Sequence, residues 1–280
     1  MFAVCICGCA SPYSFDGGNA FEYLLTQTRM GPRNPGSKGH SDCRNYLIGE
    51  LSRLADTVLV QDFELPGFPG KLTNIIGRFD PVSESRLLLC AHWDTRPWSD
   101  LDPDTTARSK PILGANDGAS GVAVLLELAR VLHRKRPERG VDIVFFDAED
   151  SGLEGEPATF CRGSAYFARH IPSPVPRYGV LVDMVGDRDL DIYIEKNSLA
   201  RAPHVVNLIW ESARGDSAFH RAPKHAVYDD HMSLVDVGIP CAVIIDFDYP
   251  YWHTQGDTPD KCSPKSLLAV GQVLTRLVYR

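Results

Sequence analysis

The chain has 280 residues, 44% of them hydrophobic, and carries 29 Lys and Arg against 36 Asp and Glu, a formal charge of −7. That is enough apolar material for one large core, and an acidic balance with no Lys/Arg block or aromatic-basic stripe excludes nucleic acid as an expected partner. No apolar run reaches the roughly 18 to 20 residues that a spanning helix needs, so no transmembrane segment is expected.

Residues Met1 to Ser11 are apolar, rich in small residues and free of acids. Ile6-Cys7-Gly8-Cys9 is similar to the end of a bacterial lipoprotein signal, whose last Cys would carry lipid, although a basic stretch ahead of it is missing. A plain unstructured leader and a Cys-x-Cys-x-Cys metal site compete with this, the latter without His or acidic neighbours. Residues 1–13 are read as a leader or signal remnant and 14–280 as one folded unit. The location this implies is exported, in the periplasm or envelope, with a lipid anchor at Cys9. Cys43, Cys90, Cys161, Cys241 and Cys262 follow, an odd number at irregular spacing. They form no disulfide framework, though one or two bridges would fit an exported protein.

From residue 15 to about residue 58 the pattern is helical, with Phe21, Leu24 and Leu25 in one segment and Tyr46, Leu47, Leu51 and Leu54 in another. Between them, residues 31–37 form a loop by their Gly, Pro and Asn content. Strands are then expected at 87–91, 141–146, 179–185 and 241–246. They alternate with helices at 118–133, 164–170 and 203–213, and a helix at 264–279 closes the chain. Apolar strands separated by helices indicate a largely parallel sheet covered on both faces. The fold class is α/β: a three-layer αβα sandwich with a central mixed, mostly parallel sheet. Val122, Leu125, Leu126, Ala129 and Leu132 make a stripe wide enough to lie on that sheet. Ser263 and Pro264 are suited to open the last helix. Two connections, 95–114 and 150–163, are long for a compact fold, and long ordered loops often line a site.

In open α/β sheets, ligands bind beyond the carboxyl ends of the strands. His92 follows the first of the four expected strands, Glu149 and Asp150 the second, Asp183 lies within or near the end of the third and His253 lies in the loop after the fourth. Asp117 stands just ahead of a helix among Gly114, Gly118 and Gly121; helix capping is its competing role. Glu149 and Asp150 point in different directions, so one can bind metal while the other faces substrate, although adjacent acids alone are commonly a solvated loop. An ionised Asp183 within 180–185 would be costly unless it met a cation or several donors. His253 sits in an aromatic cluster, and Asp229-Asp230-His231 precedes a helical turn where capping competes with chemistry. His40, His133, His170, His204, His220 and His225 have surface-like surroundings and receive no role. Carboxylates and imidazoles converging at one sheet edge suit a borderline-soft dication, with a further carboxylate left to move protons. The pattern is that of a zinc enzyme.

The segments Ala91-His92-Trp93-Asp94, Gly114-Ala115-Asn116-Asp117-Gly118-Ala119-Ser120-Gly121, Phe145-Phe146-Asp147-Ala148-Glu149-Asp150, Asp229-Asp230-His231 and Trp252-His253-Thr254 resemble the M28 zinc peptidase superfamily. Within it they look most like the glutaminyl cyclases of animal type, particularly their bacterial relatives. The resemblance runs from about Gly31 to the C-terminus. It implies one zinc ion held by Asp117, Asp150 and His253, with Glu149 as general acid/base and Asp183 and Asp230 completing an acidic hydrogen-bond relay. Trp252 would wall the substrate pocket, and Trp93 is assigned to the substrate as well. Asp150 stands where animal cyclases carry Glu, and its shorter arm would bring the backbone closer to the metal. In the aminopeptidases of the superfamily, Asp117 bridges two zinc ions, and the residues matching His92 and Asp183 help hold the second. Both are present, so ligand identity leaves the ion count open. The aromatic character given by Trp93, Trp98, Tyr251 and Trp252, and the single Asp of Asn116-Asp117-Gly118, favour the cyclase. The implied activity converts the N-terminal Gln of a peptide or protein to pyroglutamate with release of ammonia; removal of N-terminal residues by a two-zinc aminopeptidase is the alternative. A silent binding domain should have lost ligands, and none is lost.

Overall fold

The computed structural model describes residues 14–153 and 155–280; the leader and the proposed lipid site at Cys9 lie outside them. The expected N-terminal helices are α1 (Gly17–Arg29), capped by the Asp16 side chain, and α2 (Lys38–Leu54), capped by Ser37. Two strands absent from the sequence reading follow, β1 (Thr57–Phe63) and β2 (Leu72–Phe79). Then come β3 (Arg86–His92), α3 (Ala119–Arg134), β4 (Gly140–Phe146), α4 (Arg162–Arg169) and β5 (Tyr178–Asp183). The remainder is β6 (Ile192–Ile194), α5 (Lys196–Arg201), α6 (Pro203–Ser212), β7 (Phe219–Pro223), α7 (Asp230–Asp236), β8 (Cys241–Ile245) and α8 (Pro264–Val278).

Six strands form one mixed sheet in the order β1-β2-β4-β3-β5-β8. β1 and β2 pair antiparallel and β2 runs antiparallel to β4, whereas β4, β3, β5 and β8 are mutually parallel. The four strands anticipated from sequence are thus the parallel half. β6 and β7 pair in a separate small sheet.

Because side chains alternate across a strand, each central strand feeds two cores. Leu87, Leu89, Ala91, Val141, Ile143, Phe145, Val180 and Val182 meet apolar residues of α1, α2, α3, α6 and α8. Leu88, Cys90, Val144, Phe146, Leu181 and Val243 meet Phe167 of α4 and Leu234 of α7. This is the three-layer arrangement. Ser263 caps α8 by accepting the Ser266 N–H at 3.1 Å, with Pro264 in its first turn. One acid inside a strand is structural: Asp142 of β4 is buried between Arg78 and Arg86, at 3.0 and 2.6 Å. Cys43, Cys90, Cys161, Cys241 and Cys262 are all buried free thiols, so none of the bridges allowed by the sequence forms among the described residues.

Candidate metal centre and substrate pocket

The parallel half of the sheet places the carboxyl ends of β3, β4, β5 and β8 at one edge. β3 ends on His92 and β5 on Asp183, while the segment 147–150 leaves β4 and the segment 246–258 leaves β8. Asp117 lies in the turn before α3. Gly118 there has φ 94°, and a Cβ on it would stand 2.7 Å from the Asp94 carbonyl oxygen, so only glycine allows the approach. Four non-glycine residues in the left-handed region, Ala148, Cys161, Met184 and His253, also border this edge. Such strain persists only where surrounding structure fixes it, and it clusters at functional sites.

Three side chains meet. His253 Nε2 is 3.1 Å from Asp150 Oδ1 and 3.8 Å from Asp117 Oδ2. Asp117 Oδ2 and Asp150 Oδ2 are buried without a hydrogen-bond partner. Burial and the neighbouring Asp150 push the Asp117 carboxyl up to about 7. Two buried carboxylates this close are costly, and a dication bound to their free oxygens and to an imidazole nitrogen removes the cost. The donor set, two carboxylates and one imidazole, fits zinc. A second triplet shares Asp117: His92 Nε2 lies 3.1 Å from Asp117 Oδ1 and 3.1 Å from Asp183 Oδ1. His92 Nε2 is hydrogen-bonded to Asp183 Oδ1, while His92 Nδ1 is buried without a hydrogen-bond partner.

Glu149 stands beside the first triplet and lines the cavity. Burial, reinforced by Asp150, Asp229 and Asp230 against the pull of His92, holds its carboxyl well above the usual carboxylate range. The acid that joins it is Asp229, which lines the same cavity and approaches Glu149 closely enough to share a cation. Asp230, assigned to the relay from the sequence, is fully buried at the first turn of α7 and does not line the cavity. Asp229 is the N-cap that turns outward, and Asp230 begins the helix that turns in.

The cavity has a volume of about 310 Å³ and is walled by Phe160, Phe247 and Trp252, with Asp117, Glu149, Asp150 and Asp183 on its floor. Trp252 lines this cavity, its ring 4.0 Å from that of His253. Trp93 does not. It has no exposed surface, donates Nε1–H to the Thr73 carbonyl at 3.0 Å, and stacks on His40 at 4.4 Å, so it belongs to the core beneath the site. Trp98 borders a separate cavity.

Several bracing residues were not anticipated. Asp94 accepts the N–H groups of Glu149 at 3.0 Å and Asp150 at 3.3 Å. Arg33 donates to the carbonyls of Trp93, Leu113 and Gly114, fixing the loop that carries Asp117. Arg96 pairs with Asp100 and reaches Asp150 Oδ1 at 3.4 Å. His40, read as surface-like, is buried with Nε2 3.0 Å from both Asp147 oxygens, because α2 lays it over the end of β4. Periodicity carries no sign of such partners; only an invariant spacing seen across relatives would reveal them.

The Peptidase family M28 profile matches residues 74–278. The chain is 37% identical to the glutaminyl cyclase of Bacteroides thetaiotaomicron, solved bound to N-acetylhistamine, over 95% of this chain and 98% of that one, with a TM-score of 0.92. It is 40% identical to the glutaminyl cyclase of Tannerella forsythia, over 95% and 99%, with a TM-score of 0.91. The glutaminyl-peptide cyclotransferase of Bos taurus is 24% identical over 282 residues, 86% of this chain and 76% of that protein.

Proposed function

The chain belongs to peptidase family M28 and stands there with the bacterial glutaminyl cyclases, and on that premise we propose that it is a zinc-dependent glutaminyl-peptide cyclotransferase. Its substrate is a peptide or protein with N-terminal Gln, and its products are N-terminal pyroglutamate and ammonia. The observation that carries this reading is the meeting of Asp117, Asp150 and His253 in an aromatic-walled cavity with Glu149 beside them.

Asp117, Asp150 and His253 would hold one zinc ion. Bound there, zinc supplies Lewis-acid polarisation of the substrate's side-chain carboxamide. Glu149 accepts the proton lost by the substrate's α-amine as that nitrogen bonds to the carboxamide carbon. It returns the proton to the departing ammonia as the old C–N bond breaks, ending the cycle as it began. Burial raises its proton affinity, which suits a group that must take up a proton and hold it until the leaving group departs. Asp183 and Asp229 complete the acidic surroundings of Glu149. Phe160, Phe247 and Trp252 orient the N-terminal residue and exclude water, favouring ring closure over hydrolysis.

A two-zinc aminopeptidase would draw on the His92, Asp117 and Asp183 triplet. In that triplet His92 Nε2 lies 3.1 Å from Asp117 Oδ1 and from Asp183 Oδ1, and the zinc content per chain distinguishes it from the one-ion reading. Among the described residues no helix is long and apolar enough to cross a membrane. An envelope location with lipid at Cys9 rests on the leader sequence alone.

Incubating the purified protein with a Gln-initiated peptide and weighing the product tests the reaction. Loss of the mass of ammonia from an otherwise intact peptide is expected. Release of free glutamine would replace the cyclase with the aminopeptidase.

A further inference from the structure

Glu149 has a second set of neighbours, away from the three zinc-binding candidates. Cys161 Sγ lies 3.4 Å from Glu149 Oε1, and one donor atom from each of Glu149, Cys161 and Asp229 falls within 4.8 Å of the others. We propose that Glu149, Cys161 and Asp229 form a second cation site, selective for a thiophilic dication such as zinc or cadmium, whose occupation arrests turnover by engaging the carboxylate that moves the proton.

The site is assembled by backbone rather than by chance proximity of flexible side chains. The Cys161 N–H donates to the Glu149 carbonyl at 3.0 Å and the Arg162 N–H to the Ala148 carbonyl at 3.0 Å, so the exit of β4 is tied to the start of α4. Ser164 Oγ of α4 bonds Ser233 Oγ of α7 at 3.0 Å, which fixes the helix whose N-cap is Asp229. An independent sign of a missing partner comes from Asp229. Its Oδ1 accepts the Asp230 N–H, whereas Oδ2 is buried and has no hydrogen-bond partner, in a residue only 3% exposed that lines the cavity.

The donor set is one thiolate and two carboxylates. A soft sulfur ligand selects against magnesium and calcium and for zinc or cadmium. Binding converts the Cys161 thiol to thiolate, with its proton released to solvent as the metal–sulfur bond forms, so affinity rises with pH. The ion would enter from the cavity that Glu149 and Asp229 line, and Cys161 is buried beside them. Once the ion is bound, the charge of the cation lowers the proton affinity of Glu149, which then no longer takes the proton from the substrate amine effectively. The arrest of turnover rests on the role proposed for Glu149; the site itself does not.

The test titrates Zn(II), and separately Cd(II), into holoenzyme already carrying its first zinc ion, in wild type and in Cys161→Ala. Wild type is expected to take up an additional ion and to show an ultraviolet sulfur-to-cadmium charge-transfer band that the variant lacks, which separates Cys161 from every other cysteine. Loss of a direct ligand should weaken that uptake by at least the roughly 10- to 100-fold that removal of a partner orienting a metal ligand costs. The inhibition curve for excess zinc, each protein scaled to its own activity without excess, should shift by the same factor. Cys161→Ser, which keeps the volume and supplies a harder donor, should bind the additional cadmium more weakly than wild type even if Cys161→Ala misfolds. Identical cadmium spectra in wild type and variants would overturn the site. A band with no loss of turnover would leave the site standing and remove Glu149 from the proton path.

Discussion

Both oxygens of Asp257 are spent on the turn that carries Asp117: Oδ1 accepts the N–H of Asn116 at 2.8 Å and Oδ2 that of Asp117 at 3.1 Å. Tyr249 donates its hydroxyl to the same carboxylate at 2.8 Å. Asp257 therefore sets the direction of a proposed ligand without touching the ion. Asp257→Ala should weaken zinc binding by roughly 10- to 100-fold, the usual cost of removing a group that orients a metal ligand. Competition against a chromophoric chelator measures this, and unchanged affinity would show that the turn holds its shape unaided.

The neighbouring acids Asp229 and Asp230 should separate cleanly. Asp229 lines the cavity near Glu149, so Asp229→Asn is expected to lower kcat at least tenfold, on the order of what a proton-relay partner supplies. Asp230 is fully buried at the first turn of α7 and does not line the cavity, so Asp230→Asn is expected to leave kcat much closer to wild type. Steady-state rates for the two variants should differ accordingly. Equal losses would return Asp230 to the relay.

Trp93 and Trp252 make a similar pair. Trp93→Phe removes the donor to the Thr73 carbonyl and should cost about 1 to 3 kcal/mol of stability with KM unchanged. Trp252→Ala opens the pocket wall and should raise KM with little loss of stability. Thermal melts alongside kinetics distinguish these outcomes. A raised KM in Trp93→Phe would put that ring back at the substrate.

These corrections show what could be read from the sequence. The parallel half of the sheet was legible because 87–91, 141–146, 179–185 and 241–246 are mainly apolar runs buried on both faces, and their shared edge gathered the acids and histidines. β1 was hidden because it is a half-exposed edge strand with Gln61 and Asp62 in it. β2 was hidden because Thr73, Asn74 and Arg78 interrupt its apolar pattern, each side chain answered by a partner on another element or loop: Asp62, the Gly163 carbonyl and Asp142. The choice between Asp229 and Asp230 turns on which residue caps α7 and which begins it, a one-residue register that adjacent identical side chains conceal. Trp93 follows a ligand candidate in sequence, but side chains alternate along the chain, so the residue next to His92 points into the core.

Stability in acid should depend on Glu195. Burial opposes its ionisation, but His231 and the N–H groups of Asn197, Ser198 and Val227 bring the carboxyl down to about 2 from an ordinary value of 4.5. A depressed native value stabilises the fold fully above the unfolded value and loses that contribution as pH falls through the range 4.5 to 2. The shift corresponds to about 3 kcal/mol. Urea unfolding should show wild type more stable than Glu195→Gln by that order at neutral pH, with the gap narrowing to about half near pH 3. A gap independent of pH would mean that the Glu195 charge contributes nothing.

The central claim is that Glu149 moves the proton while Asp117, Asp150 and His253 hold the ion, and Glu149→Gln tests it most directly. Zinc content and turnover on a Gln-initiated peptide are measured on one preparation. The account predicts full zinc occupancy with turnover reduced on the order of 10²- to 10⁴-fold, the contribution of a positioned acid/base. Turnover near the wild-type rate with zinc retained would contradict it.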